Sequence, residues 1–273
     1  MNRPALAVTG YFKYFANKSI QLFGAGEMAF FREQSVARRK AVVETMVAKR
    51  IPCVVVSRSL APTPEMVDVL EQAGVPLFRT PLSSKAFTTE VTVLLEERFA
   101  PRTSLHGTLL EIRGVGTLIR GSSGAGKREA ALALIERGHS LVADDLVKVK
   151  LLSDHTPIGF CDPLSRGFME CRGIGIINVE KLFGNRFVRI EKRIDLVVTL
   201  IEEAVNAEPD RTGLDRKYYE ILGFDVPQME IPVRTGRDIA RLIEVAAMVQ
   251  AARQFGYDSA DDLNEKLLKK MKY

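Results

Sequence analysis

Apolar residues in the first hundred positions fall alternately in short runs and in longer stretches with helical spacing. The short runs, rich in Val, Leu and Phe, predict strands over residues 20–23, 52–56 and 75–78. The longer stretches predict helices over residues 33–49, 64–74 and 84–99, the second with Thr63 as N-cap and Pro64 at its first position. Strands that alternate with helices predict a small α/β domain with a partly parallel sheet.

A polar segment that contains proline, from Ala100 to Ser104, follows the last of these helices. We therefore expect an N-terminal α/β domain at residues 1–102 and a second α/β domain at residues 103–273. In the second domain the pattern predicts strands over residues 105–112, 117–119, 140–152 and 196–200, helices over 127–137 and 237–253, and an amphipathic tail over 260–270.

Composition narrows the class of protein. With 46% hydrophobic and 27% charged residues the chain is typical of a globular protein, and no apolar run approaches the roughly 18 residues of a membrane span. Nothing after Met1 resembles a signal peptide, and the three cysteines have no metal-ligand spacing, so we expect reduced thiols and a cytoplasmic protein. The net charge of +5 favours acidic or phosphorylated partners, but 34 interspersed acidic residues argue against a dedicated nucleic-acid binder.

A glycine-rich segment between a predicted strand and a predicted helix has the GxxxxGK spacing of a phosphate-binding loop. Small residues let backbone N–H groups surround a phosphate, and the following helix adds the positive end of its dipole. Lys127 would reach the outer phosphates. The predicted nucleotide-binding residues are Gly121, Ser122, Ser123, Gly124, Ala125, Gly126, Lys127 and Arg128.

Arg128 departs from the usual pattern, because a Ser or Thr normally follows the lysine and offers its hydroxyl to Mg²⁺. A guanidinium has no lone pair for a metal. Two arrangements are open. We expect the side chain to turn toward solvent or toward an acid such as Glu129, which leaves a weakly bound Mg²⁺; alternatively the guanidinium itself sits on the phosphates as a surrogate cation.

Acidic residues and histidines near the loop are the next candidates. Asp144 and Asp145 end an apolar run, where a carboxylate beside a phosphate-binding loop often binds metal or acts as a base; a solvated acidic turn is the alternative. Glu170 opens a second polar and glycine-rich segment, which alone indicates little. From the residues alone, His106 is more typical of a structural histidine in a strand.

These pieces, taken together, closely resemble the bacterial HPr kinase/phosphorylase family over nearly the whole chain. The motifs that carry the resemblance are Asn2-Arg3-Pro4, Arg79-Thr80-Pro81-Leu82-Ser83, Ala100-Pro101-Arg102-Thr103, His106-Gly107, Arg137-Gly138-His139, Leu141-Val142-Ala143-Asp144-Asp145, Glu170-Cys171-Arg172-Gly173-Ile174-Gly175-Ile176-Ile177-Asn178, Asp210-Arg211-Thr212-Gly213, Ile231-Pro232-Val233-Arg234-Thr235-Gly236-Arg237 and Glu244-Val245-Ala246-Ala247. Cys171 stands where a β-branched or similar apolar residue is more usual. The resemblance also implies that the chain begins some way into the family's N-terminal domain, so we expect an early strand to be missing.

The resemblance implies a role for each matching residue. His106 and Arg211 match active-site residues, Lys127 the loop lysine, and Asp145 the carboxylate that takes a proton from the substrate serine and returns it in the reverse reaction. Glu170 matches a magnesium ligand. The segment tied to dephosphorylation is matched by Pro232, Val233, Arg234, Thr235, Gly236 and Arg237.

The resemblance further implies the whole activity: phosphorylation of a serine of the carrier protein HPr with ATP and Mg²⁺, reversal with inorganic phosphate to release pyrophosphate, regulation of carbon metabolism, and a homohexamer with neither nucleic-acid nor membrane partners. A C-terminal kinase domain built around the phosphate-binding loop is the fold that goes with it. Two alternatives stay open. In the first, the chain is a degenerate member that binds HPr with weak catalysis, because Arg128 replaces the usual Ser or Thr. In the second, the chain is a related small-molecule kinase.

Overall fold

The computed structural model describes residues 1–202, 215–234 and 236–271, which form two compact units at Met1–Phe99 and Ala100–Tyr273. The predicted division after residue 102 falls inside the first strand of the second unit. In the described residues no helix is long and apolar enough to cross a membrane.

The first unit alternates strands and helices as its pattern predicts. Its elements are β1 (Gln21–Phe23), α1 (Ala25–Glu33), α2 (Val36–Ala48), β2 (Val54–Val56), α3 (Pro64–Gln72), β3 (Leu77–Arg79) and α4 (Ser84–Phe99). The three strands form a parallel sheet in the order β1-β2-β3. Phe23, Phe31, Met46 and Leu70 are buried in its core.

The sequence pattern does not predict α1, and it predicts a longer helix than the observed α2. The helix expected over residues 33–49 is α2, which begins only after Ser35, whose hydroxyl accepts a hydrogen bond of 3.3 Å from the Arg38 amide. Residue 33 instead ends α1. Pro64 does open α3, although the Thr63 hydroxyl makes no capping bond there.

The described residues of the second unit form three sheets. Its elements are β4 (Arg102–His106), β5 (Thr108–Ile112), β6 (Val115–Gly121), α5 (Lys127–Glu136), β7 (Ser140–Ala143), β8 (Leu146–Leu151), β9 (Pro157–Phe160), β10 (Phe168–Cys171), β11 (Gly175–Asn178), α6 (Val179–Phe183), β12 (Glu191–Arg193), β13 (Leu196–Glu202), β14 (Lys217–Ile221), β15 (Phe224–Val233), α7 (Ile239–Gln254) and α8 (Ser259–Met271). A six-stranded sheet has the order β14-β15-β13-β6-β5-β7, a four-stranded sheet the order β12-β9-β8-β4, and β10 pairs with β11.

Two apolar cores hold the layers of this unit together. On one face of the six-stranded sheet, Ile119 and Val198 pack with Leu134 of α5 and Ile243 of α7. On the other face, Leu118 and Val197 pack with residues of the four-stranded sheet, among them Val147 and Val149. The helices, the six-stranded sheet and the four-stranded sheet therefore form three successive layers in that order.

The chain passes between the two larger sheets at two sharp bends. Residues 105–112 and 140–152 each read as one strand, but β4 and β8 belong to the four-stranded sheet, whereas β5 and β7 belong to the six-stranded one. The bends lie at Gly107 and at Asp145, whose φ is +65°. The amide of Gly107 donates a 3.0 Å hydrogen bond to the carbonyl of Asp145, so the two bends are adjacent. A Cβ at Gly107 would lie 2.6 Å from the Ile119 carbonyl oxygen, which explains why glycine is required there.

Parallel strands bring the chemistry to one edge. β6, β13 and β15 are parallel, and β7 has the same direction because both β6 and β7 run antiparallel to β5. The loop after β6, the carboxylates after β7 and the start of β5 consequently meet at the carboxyl end of these strands, where α/β sheets place their ligands.

Candidate active site

The phosphate-binding loop connects β6 to α5, as its spacing predicts. Gly126 precedes the helix in a left-handed conformation, with φ +81°, which glycine adopts without a steric penalty. Lys127 is the first residue of α5, and its Nζ donates to the carbonyls of Gly121 at 2.9 Å and Ser122 at 2.7 Å. The Lys127 side chain therefore lies across the opening of the phosphate-binding loop.

A pocket of about 250 Å³ opens between this loop and the two sheet bends. It is lined by loop residues and by residues from the bends, including His106, Thr108, Asp144 and Asp145. Arg172, which follows β10, also lines it. Loop and carboxylates thus face one space that can hold a phosphate chain and an attacking group.

Asp144 is the most buried carboxylate of the pocket, with 5% of its side chain exposed. Its Oδ1 accepts a 2.8 Å hydrogen bond from the hydroxyl of Thr108, and its Oδ2 accepts one of 3.3 Å from the amide of Glu170. Asp144 therefore joins the start of β5 to β10. The family resemblance gives a role to its neighbour Asp145 but none to Asp144, and no sequence signal points to Thr108.

Asp145 differs from Asp144 in exposure. Its left-handed backbone turns the carboxylate outward, and 71% of the side chain is exposed at the pocket. An exposed carboxylate can meet a hydroxyl that arrives from outside, whereas the buried Asp144 carboxylate is occupied with structural partners.

Arg128 turns toward acidic side chains as expected, but these are Glu170, Asp145 and Asp144 and not Glu129. Its side chain is 25% exposed and lies among three carboxylates: Nη1 is 2.8 Å from Glu170 Oε2, Nη2 is 3.4 Å from Asp145 Oδ1, and Nε is 3.5 Å from Asp144 Oδ2. The favourable ion pairs explain the orientation, because a cation in the first turn of a helix is otherwise disfavoured. We name Arg128, Asp144, Asp145 and Glu170 the arginine cluster.

Cys171 lies directly after Glu170 and is buried. Burial, followed by the negative charges of Asp144 and Glu129, raises the pKa of its thiol. The residue is therefore a neutral thiol in the packing beneath the cluster, which fits the apolar residue more usual there, and not a nucleophile.

The remaining predicted residues divide into three groups. His106 is exposed at the end of β4 and lines the pocket, so the structure brings it to the loop. Pro232 and Val233 end β15, two strands from β6, and none of residues 232–234 or 236–237 lines the pocket. Arg211 and Thr235 lie outside the described residues.

Comparison with known proteins identifies the same family over both units. The family model described as HPr Serine kinase N terminus matches residues 1–95, and the one described as HPr Serine kinase C-terminal domain matches residues 97–267. The HPr kinase/phosphorylase of Leptospira biflexa is 42% identical over 98% of this chain and 84% of its own length. The HPr kinase/phosphorylase of Caldicellulosiruptor bescii is 41% identical over 99% and 87% respectively.

A solved structure agrees. The Hpr(Ser) kinase/phosphatase from Coxiella burnetii is 34% identical, with a TM-score of 0.53 over 60% of this chain and 99% of that one.

We predict that Thr108→Val destabilises the protein by about 1–3 kcal/mol, because the isosteric change leaves the buried Asp144 carboxylate without its hydroxyl donor. Thr117→Val is the matched control: this buried hydroxyl in the neighbouring strand makes only a 3.4 Å contact with a carbonyl, so we expect a smaller loss. Urea denaturation of both variants measures the difference. Equal losses would show that Asp144 is not held through Thr108.

Proposed function

Because the chain belongs to the HPr serine kinase family, we propose that it transfers the γ-phosphoryl group of ATP to a serine of HPr and moves that group back to inorganic phosphate, releasing pyrophosphate. It is an enzyme of the HPr kinase/phosphorylase class. The observation that carries this proposal is that the phosphate-binding loop and the exposed Asp145 carboxylate face the same pocket. The relatives give no support to a degenerate binding protein or to a small-molecule kinase.

The loop binds the phosphate chain of ATP. Its small residues expose backbone amides, and the N-terminus of α5 adds the positive end of the helix dipole. When phosphates enter, the Lys127 ammonium exchanges the two loop carbonyls for phosphate oxygens. That exchange places a positive charge where negative charge develops during transfer.

Asp145 acts as the base in the kinase direction. The serine oxygen of HPr attacks the γ-phosphorus, the bond to the β–γ bridging oxygen breaks, and the serine proton passes to the Asp145 carboxylate. In the reverse direction inorganic phosphate attacks the phosphoserine phosphorus, and protonated Asp145 returns the proton to the departing serine oxygen. One carboxylate can serve both reactions because the serine oxygen that attacks in the first is the oxygen that leaves in the second, and Asp145 exchanges a proton with it in each.

The family resemblance implies that Mg²⁺ enters the site together with ATP. The residues of the pocket are not arranged to hold a divalent ion by themselves. No three potential ligands gather with metal-site geometry in the described parts of the chain. The loop hydroxyl is replaced by Arg128, and the Glu170 carboxylate is paired with that guanidinium. That Glu170 binds Mg²⁺ therefore stays a prediction, and it applies to the site with ATP bound.

The other proposed residues surround this centre. His106 lies at the pocket rim beside the loop, suited to contact a phosphoryl group. Arg211 would add positive charge. Pro232 and Val233 end β15, two strands from β6 and so about 10 Å away at the usual strand spacing, and the segment 232–237 is proposed to serve dephosphorylation. We further propose a cytoplasmic homohexamer with HPr as its protein partner.

The function is tested by incubating the protein with purified HPr, ATP and Mg²⁺ and measuring the intact mass of HPr. We expect HPr to gain one phosphoryl group at a serine and to lose it when excess inorganic phosphate replaces ATP, with pyrophosphate formed. Unchanged HPr in both reactions would contradict the proposal.

We predict that Lys127→Ala lowers turnover in both directions by about 10²–10³-fold, because a charge-assisted contact to the reacting phosphates is lost. Lys40→Ala, which removes an exposed lysine of the first unit, should leave turnover unchanged. Steady-state rates with HPr and with phosphorylated HPr measure both. A Lys127→Ala variant with more than about a tenth of normal turnover would exclude this role.

We predict that Asp145→Asn lowers transfer to serine by about 10²–10⁴-fold while ATP affinity changes little, because an amide cannot accept the serine proton. Asp154→Asn, in an exposed loop, is the control. Isothermal titration with ATP and single-turnover transfer separate binding from chemistry. Equal losses of affinity and turnover would assign Asp145 to binding.

A further inference from the structure

We infer that the guanidinium of Arg128 is the resident cation of the arginine cluster and keeps divalent ions off the free protein, so that Mg²⁺ reaches the site only with the nucleotide. The inference rests on the proposed function for its meaning in catalysis, but its test does not require activity.

The contacts of Arg128 use all three nitrogens of its side chain. Each nitrogen faces a different carboxylate, at 2.8 Å for Glu170, 3.4 Å for Asp145 and 3.5 Å for Asp144. The guanidinium therefore lies between the oxygens that a metal ion would have to share. A divalent ion can bind there only after these ion pairs are broken.

The buried Asp144 carboxylate makes this arrangement more than a surface ion pair. Its side chain is 5% exposed, and its partners besides Arg128 are one hydroxyl and one amide, which are neutral donors. A carboxylate so enclosed needs a nearby positive charge. Arg128 supplies that charge from the next element of the pocket, the first turn of α5.

The type of cation also matters. A guanidinium stays charged under all ordinary conditions and presents its donors in a fixed planar arrangement, so it can hold several carboxylates at once. The residue that usually stands at this place offers an oxygen ligand instead. With Arg128 at this position the hydroxyl ligand is absent, and the positive charge neutralises the carboxylates that could serve as other ligands.

An ATP-bound ion meets a different situation. Its charge arrives already coordinated by phosphate oxygens, and the phosphates themselves attract Lys127 and the loop amides. Arg128 thus holds the carboxylates of the free enzyme in place, whereas the divalent ion enters only with the substrate.

The test is a titration of the full-length protein with Mn²⁺ without nucleotide, followed by the loss of the free Mn²⁺ signal in electron paramagnetic resonance. We expect no tight site on the natural chain and a gain in Mn²⁺ affinity of at least about tenfold in Arg128→Gln, which removes the repelling charge. Arg128→Lys keeps the charge but not the planar set of donors, so we expect a smaller gain in Mn²⁺ affinity than in Arg128→Gln. Arg137→Gln, at the opposite end of α5, is the control for general loss of charge and should resemble the natural chain.

Three results would overturn the inference: a tight Mn²⁺ site on the natural chain, no gain in Arg128→Gln, or equal gains in Arg128→Lys and Arg128→Gln. Circular dichroism checks that each variant is folded; if Arg128→Gln is not, Arg128→Ser, which carries the residue usual at this position, takes its place with the same expected gain. Because the readout is metal binding, failure of the proposed kinase activity would leave these outcomes distinct.

Discussion

The carboxylate of Asp144 is the point on which the pocket depends. It is almost fully enclosed, and its oxygens receive the hydroxyl of Thr108, the amide of Glu170 and the guanidinium of Arg128. These partners belong to β5, β10 and the first turn of α5, so one side chain fixes three elements around the loop. An enclosed charge without its partners would cost several kcal/mol, and this cost makes the arrangement specific.

The two sheet bends give this carboxylate its position. Because the chain leaves the six-stranded sheet at Asp145 and enters it at Gly107, the residues on either side of both bends gather at the carboxyl end of β6 and β7. Asp144 turns inward to hold the elements together, whereas Asp145 turns outward to the pocket. The neighbouring carboxylates thereby differ: Asp144 holds the framework, whereas Asp145, 3.4 Å from the Arg128 guanidinium, stays exposed at the pocket.

Much of this could be predicted from sequence, and the failures share a cause. The phosphate-binding loop, α3 and α4 follow from local signals: glycine spacing, Pro64, and a long stretch of helix-forming residues. The sheet bends were read as continuous strands because side-chain pattern does not reveal which sheet a strand joins. Helix α1 was missed because its glycine at position 26 weakens the local signal, and the burial of Met28 and Phe31 supplies the stability instead.

Arg128 shows the same limit at the site. The sequence identifies Arg128 as the departure from the usual loop. The direction of its side chain, however, depends on Glu170, 42 positions away along the chain, and on a carboxylate that is buried only in the folded protein.

The most direct test of the role of Arg128 is diffraction from crystals soaked with Mn²⁺ without nucleotide, recorded at the manganese absorption edge. We expect the Arg128 guanidinium within ion-pair distance of Glu170 and no anomalous peak among the three carboxylates; an anomalous peak bonded to Glu170 or Asp145, with Arg128 displaced, would contradict the account.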